Sequence, residues 1–131
     1  MRQIKHSLDL KPLSANKMWL GAKRKSKEYR IYEKESLNRL PSGVVIPKQK
    51  IDIKIAVFYS SSRSDIDNAL KPFLDILQKR YKFDDCRVYD MHTRKFICKK
   101  GEERIMFNIK SLPHNIYEEN RLALINGGVW L

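Results

Sequence analysis

Between Ile51 and Tyr81 the hydrophobic period of the sequence changes from that of a strand to that of a helix. Ile51, Ile53, Ile55 and Val57 alternate with Asp52, Lys54, Ala56 and Phe58, which predicts a strand with one buried face. After Ser60–Ser61–Ser62–Arg63, the residues Ile66, Ala69, Leu70, Phe73, Leu74, Leu77 and Tyr81 recur at helical spacing and form one apolar stripe. Ser64 or Asp65 is placed to cap that helix. Pro72 constrains its start. Beyond a first turn, a proline removes a hydrogen bond and crowds the carbonyl four residues back, here that of Asn68. The helix therefore either begins near Leu70 or opens on an irregular turn.

The flanking segments fill out the fold. Residues 2–10 alternate loosely through Ile4, His6, Leu8 and Leu10 and predict a first strand. A helix is expected over Ser26–Leu40, with Tyr29, Tyr32 or Glu33, Ser36 or Leu37, and Leu40 on one side, stopped by Pro41–Ser42–Gly43. Residues 87–98 and 103–111 predict two further strands, with Lys99–Lys100–Gly101–Glu102 as a hairpin turn between them. A short helix from Tyr117 precedes Gly127–Gly128–Val129–Trp130–Leu131, an apolar end that either packs in a dimer or caps its own core. The order predicts an α+β, two-layer domain, a mostly antiparallel sheet with helices packed on one face. We expect a single domain over 1–131, with 112–131 a C-terminal extension.

Composition enters through charge. The 131 residues carry 27 Lys and Arg against 15 Asp and Glu, a formal net charge of +12. A hydrophobic content of 42% excludes a disordered basic tail. A polyanionic partner is implied, nucleic acid before an anionic membrane surface. No apolar run is long enough to span a bilayer, and Met1–Arg2–Gln3–Ile4–Lys5–His6 lacks the apolar core of a signal peptide. A cytoplasmic protein without membrane or small-molecule cofactor is expected. Cys86 and Cys98 lack metal-binding spacing and are expected to be free thiols filling apolar space. His6, His92 and His114 are scattered and carry no ligand spacing.

The acids are distributed unevenly. Six of eight aspartates, Asp65, Asp67, Asp75, Asp84, Asp85 and Asp90, fall between positions 65 and 90. Asp75 has Lys71 and Lys79 four residues to either side and reads as an ion-pair partner. Asp65 and Asp67 allow two readings. They are either a helix cap and a favourable first-turn charge, or a like-charged pair that a hard divalent cation such as Mg²⁺ would hold together. Were the chain to turn back beside the helix start, Asp84 or Asp85 would add a third carboxylate. Asp67, Asn68 and Lys71 would share one end of a helix face. A metal ion beside a lysine is what phosphodiester cleavage needs: the metal polarises phosphate and activates water, and the ammonium offsets developing charge.

The string Arg63-Ser64-Asp65-Ile66-Asp67-Asn68-Ala69-Leu70-Lys71-Pro72-Phe73-Leu74-Asp75-Ile76-Leu77, followed by Phe83-Asp84-Asp85-Cys86-Arg87-Val88, resembles the RusA family of Holliday junction resolvases. Ser14 and Asn16 after the first strand, and Lys95 after the double aspartate, are similar to further family positions. The resemblance implies that Asp65, Asp67 and Asp85 bind Mg²⁺ and that Lys71 is the catalytic basic residue. It also implies a homodimer that nicks two opposing strands of a four-way DNA junction. Arg63 is then a phosphate contact. Asn68 lies at the same surface and can fix the turn through side-chain to backbone bonds. The family often has a glycine before the double aspartate. Lys79-Arg80-Tyr81-Lys82 has none, so a longer helix or a less sharp helix end is expected.

Most of the positive charge lies outside the acidic block, at Lys23–Lys27, Lys48–Lys50, Arg94–Lys95 and Lys99–Lys100. Asn16, Lys17, Lys23, Arg24 and Lys95 are accordingly candidate DNA contacts. Trp19 beside them is suited either to stacking on an unpaired base or to packing. Two rivals follow from the same residues: a non-catalytic nucleic-acid-binding module whose acids are caps and ion-pair partners, and a metal-dependent nuclease for other branched DNA.

Overall fold

The computed structural model describes residues 3–46 and 48–130, so Arg2 of the expected first strand and Leu131 of the apolar end lie outside the described residues. In chain order the elements are β1 (Gln3–Leu8), β2 (Trp19–Leu20), β3 (Arg24–Lys25), α1 (Lys27–Arg39), β4 (Ile51–Tyr59), α2 (Leu70–Tyr81), β5 (Val88–Ile97), β6 (Arg104–Ser111) and α3 (His114–Gly127). β1, β6, β4 and β5 form one sheet in that order, and β2 pairs with β3 in a separate ribbon. The α+β expectation holds, with a mixed, mostly antiparallel sheet. No helix among the described residues is long and apolar enough to cross a membrane.

β4 lies inside the sheet because its alternation buries Ile51, Ile53, Ile55, Val57 and Tyr59. Facing them across the layer are Phe73, Ile76 and Leu77 of α2 and Tyr29 and Tyr32 of α1, with Ile105, Phe107 and Ile109 beside them on β6. The Phe73 ring meets Phe107 edge-on at 5.3 Å. Ser26 caps α1 by accepting from the Tyr29 amide at 3.0 Å. α2 begins at Leu70, which leaves Pro72 in its first turn, where its missing N–H costs nothing. Ala69 holds the cap position without a side-chain bond, so neither Ser64 nor Asp65 caps the helix. Ile66 lies outside it and is 45% exposed, while Ile76 takes its place in the core.

The expected hairpin between the last two strands is absent. A turn does form there, with the Glu102 amide bonded to the Lys99 carbonyl at 3.0 Å. Its two strands pair with β4 rather than with each other, β6 antiparallel and β5 parallel. The buried central strand takes both sets of ladder bonds, and α2 is the crossover between the parallel pair. α3 starts earlier than Tyr117 and is longer than expected, yet none of its residues is buried. It is attached through Tyr117, whose ring meets Tyr89 edge-on at 5.5 Å with Lys50 over both. Val129 and Trp130 are exposed and cap no core. Both cysteines are free; Cys86 is exposed and fills no apolar space.

α2 ends sharply without a glycine. Lys82 adopts the left-handed conformation, φ 56° and ψ 49°, and its amide bonds to the Gln78 carbonyl at 2.9 Å. A side chain in that conformation is strained. Lys82→Gly is therefore expected to raise unfolding stability by about 1 kcal/mol, measured by urea denaturation.

Candidate active site

The chain between β4 and α2 is a series of tight turns held from three directions. Within it, the Asn68 amide bonds to the Asp65 carbonyl at 3.2 Å and the Leu70 amide to the Asp67 carbonyl at 3.1 Å. From β4, the Tyr59 hydroxyl donates to the Asp65 carbonyl at 3.2 Å. From β5, Lys95 Nζ donates to the carbonyls of Ser62 at 3.0 Å and Ser64 at 2.7 Å. From the N-terminal side, the Ala15 amide donates to the Asn68 carbonyl at 2.8 Å. Each held group is backbone, so the side chains of Asp65 and Asp67 remain exposed. No ion pair or side-chain hydrogen bond to a described residue engages either carboxylate. Burial raises the Tyr59 pKa, a backbone bond to Ala69 opposes the rise, and the charges of Asp67 and Asp65 add to it.

Lys71, in the first turn of α2, pairs with Asp75 at 3.0 Å rather than with Asp67. Asp67 and Asn68 precede the helix, so the three do not share a helix face. Lys71 stays mostly exposed, and Asp75 is also within reach of the Tyr29 hydroxyl at 3.5 Å. Asn16 and Lys17 are exposed on a 3-10 turn that Ser14 caps, joined to the acidic turn by the Ala15 bond. A cleft of about 570 Å³ runs there, bordered by Ser14, Lys17, Tyr59, Ser64 and Asn68. Arg63, before the acidic turn, is exposed.

Asp85 lies elsewhere. Parallel pairing sets Val88 beside Ile51 and Ile97 beside Tyr59. The segment before β5 is thus at the start of β4, whereas Asp65 and Asp67 follow its end. The 12-residue α2 separates them, a rise of about 18 Å. The chain does not turn back beside the helix start as the third-carboxylate reading required. Asp84 accepts from the Cys86 amide at 3.1 Å, and this bond with those from the Cys86 thiol and Asp85 lowers its pKa. The Asp85 amide bonds to Gln78 Oε1 at 3.1 Å, and its side chain is exposed.

Among the described residues, the three ligating side chains that do converge, within 4.8 Å, are Asp52, Asp90 and His92. The parallel register that sets Asp52 beside Asp90 could not be read from a single strand's pattern. Lys110 Nζ lies 3.8 Å from Asp52, and His92 Nε2 lies 3.0 Å from Asp90. The group also lies at the far end of β4 from the acidic turn. It is an ion-paired patch, and the exposed oxygens of Asp65 and Asp67, which no described residue pairs, suit Mg²⁺ better.

The basic ribbon completes the surroundings. Lys23 and Arg24 are exposed near the turn at Gly21, whose φ of 72° suits glycine. Trp19 is half packed, edge-on to Tyr29 at 5.9 Å. Glu33 of α1 anchors the ribbon through Lys25 at 3.1 Å and reaches Lys79 of α2 at 2.9 Å. Burial alone would raise the Glu33 pKa, but Lys79 and Lys25 hold it below the usual glutamate value. Its stabilising effect is therefore full above the unfolded pKa and is lost as pH falls through the lower folded one. Glu33→Gln is expected to cost about 1 kcal/mol at pH 7 and progressively less once pH drops below about 4, in denaturation curves across pH.

The model of the family described as endodeoxyribonuclease RusA matches residues 14–110. That span contains the acidic turn, α1, α2, both double-aspartate residues and nearly all of β6, and leaves out β1 and α3. No curated protein matches the chain significantly.

Proposed function

The chain belongs to the RusA endodeoxyribonuclease family, and from that premise we propose a Mg²⁺-dependent enzyme that resolves four-way DNA junctions. It acts as a homodimer and makes paired, symmetric nicks in DNA recombination and repair. The observation that carries this reading is the pair of exposed, unpaired carboxylates, Asp65 and Asp67, on a turn whose backbone is tied down from three sides. A protein that only grips phosphate has no use for them, since they repel DNA in a chain of net charge +12.

In this reading Asp65 and Asp67 hold the ion, which when bound polarises phosphate and lowers the pKa of water. Asp85 of the same protomer is about a helix length away, so Asp85 of the partner subunit completes the acid set. A C₂ dimer then presents two equivalent composite sites, which match the approximate two-fold symmetry of a four-way junction. Lys71 releases Asp75 and turns its ammonium to the phosphoryl oxygens, where it stabilises the charge of the transition state. Arg63, Asn16, Lys17 and Asn68 by the acidic turn, with Lys23 and Arg24 of the ribbon, serve as DNA contacts.

Asp67→Asn is expected to cut junctions at least about a hundredfold more slowly while binding them as tightly as the wild type or more so. Nicking of labelled four-way, flap and duplex DNA in Mg²⁺ and in EDTA checks this. Full activity in the variant overturns the site. Equal cutting of flaps moves the substrate to branched DNA in general, and binding without Mg²⁺-dependent cutting leaves a binding module.

A further inference from the structure

We propose that Lys95 is a positioning residue of this site, which orders the turn bearing Asp65 and Asp67 instead of contacting DNA phosphate; the role in catalysis rests on the functional reading above. Lys95 stands on β5 opposite Val57, two residues before β4 ends. Its side chain is half-buried and its Nζ spends two of three N–H donors on the carbonyls of Ser62 and Ser64. The bond to Ser64, at 2.7 Å, is in the range of strong charge-assisted bonds.

What is held matters more than how tightly. The Ser64 carbonyl belongs to the peptide plane that enters Asp65, and the Asp65 carbonyl, held by Tyr59, belongs to the plane that leaves it. Peptide units are planar, so fixing both fixes the direction in which the Asp65 side chain departs. Both anchors come from neighbouring strands of the sheet, which supplies a rigid base. Two adjacent carboxylates repel each other when no ion lies between them. Without an external tie that repulsion would spread the turn. Lys71 does not supply the tie, because Asp75 engages it, and Arg63 is exposed and left to face DNA.

The test uses Lys95→Met, which keeps the stem and removes the charge, and Lys95→Arg, which keeps the charge and changes the reach. In the metal-free full chain, amide exchange at Ser64, Asn68 and Leu70 is expected to speed up about tenfold in Lys95→Met. Mn²⁺ binding, followed by electron paramagnetic resonance, should weaken by a similar factor, and so should the Mg²⁺ concentration for half-maximal cutting rise. Junction affinity in EDTA and its salt slope should not change. In Lys95→Arg the Mg²⁺ demand should still rise, with junction affinity unaltered. Wild-type exchange and Mn²⁺ affinity in both variants overturn the proposal. So does a fall in junction affinity in Lys95→Met with a salt slope smaller by about one, which marks a lost phosphate contact. Should Lys95→Met lose its cooperative melt, Lys95→Arg alone decides. Should the wild type cut no DNA, the functional reading fails, while exchange and Mn²⁺ binding still decide whether Lys95 orders the turn.

Discussion

The parallel pairing of β4 with β5 is the constraint on which the rest of the molecule depends. Once Ile51 lies beside Val88 and Tyr59 beside Ile97, the chain between them must travel back the length of the sheet. α2 makes that return, and its buried residues, Phe73, Ile76 and Leu77, become the inner layer of the core. The same pairing decides where the acids go. Those before the helix end up past the end of β4, and those after it beside its beginning. A protomer folded this way cannot bring Asp85 to Asp65, however its loops adjust, without breaking a nine-residue ladder. A catalytic set that needs all three carboxylates therefore calls for a second subunit.

The acidic turn shows how a basic domain can maintain a small anionic site. Every tie to residues 62–68 is made to backbone, by the Lys95 ammonium, the Tyr59 phenol and the Ala15 amide. A tie to the side chains would have neutralised the groups that metal binding requires. Several acids elsewhere serve the structure. Glu33 joins the ribbon to both helices, Asp75 holds Lys71, and Asp52 and Asp90 are matched by Lys110 and His92. Asp65 and Asp67 have no such partner among the described residues and face solvent.

Local features were legible in the sequence. The buried side of α1 and the start of α2 at Leu70 follow from periodicity and the geometry of Pro72. The acidic turn was legible too, since closely spaced aspartates before an apolar helix are costly unless used. What escaped was non-local. Periodicity states which face of a strand is buried but not which neighbour it meets, so the turn at Lys99–Glu102 passed for a hairpin. The clamp by Lys95 depends on the same pairing, because only the parallel register carries that lysine to the Ser64 carbonyl. Lys82 in a left-handed conformation was hidden because glycine is the usual signal for it, and here another residue holds the position.

The proposed sharing of the site between subunits is tested most directly by mixing two inactive proteins. Asp67→Asn and Asp85→Asn, each inactive alone, are denatured together, refolded and given a four-way junction in Mg²⁺. If each site takes Asp65 and Asp67 from one protomer and Asp85 from the other, the mixed dimer holds one site with both lesions and one with none. The account predicts that nicking returns in the mixture, on one strand per junction rather than on two. A mixture as inactive as its parents, with mixed dimers shown to be present, would contradict it.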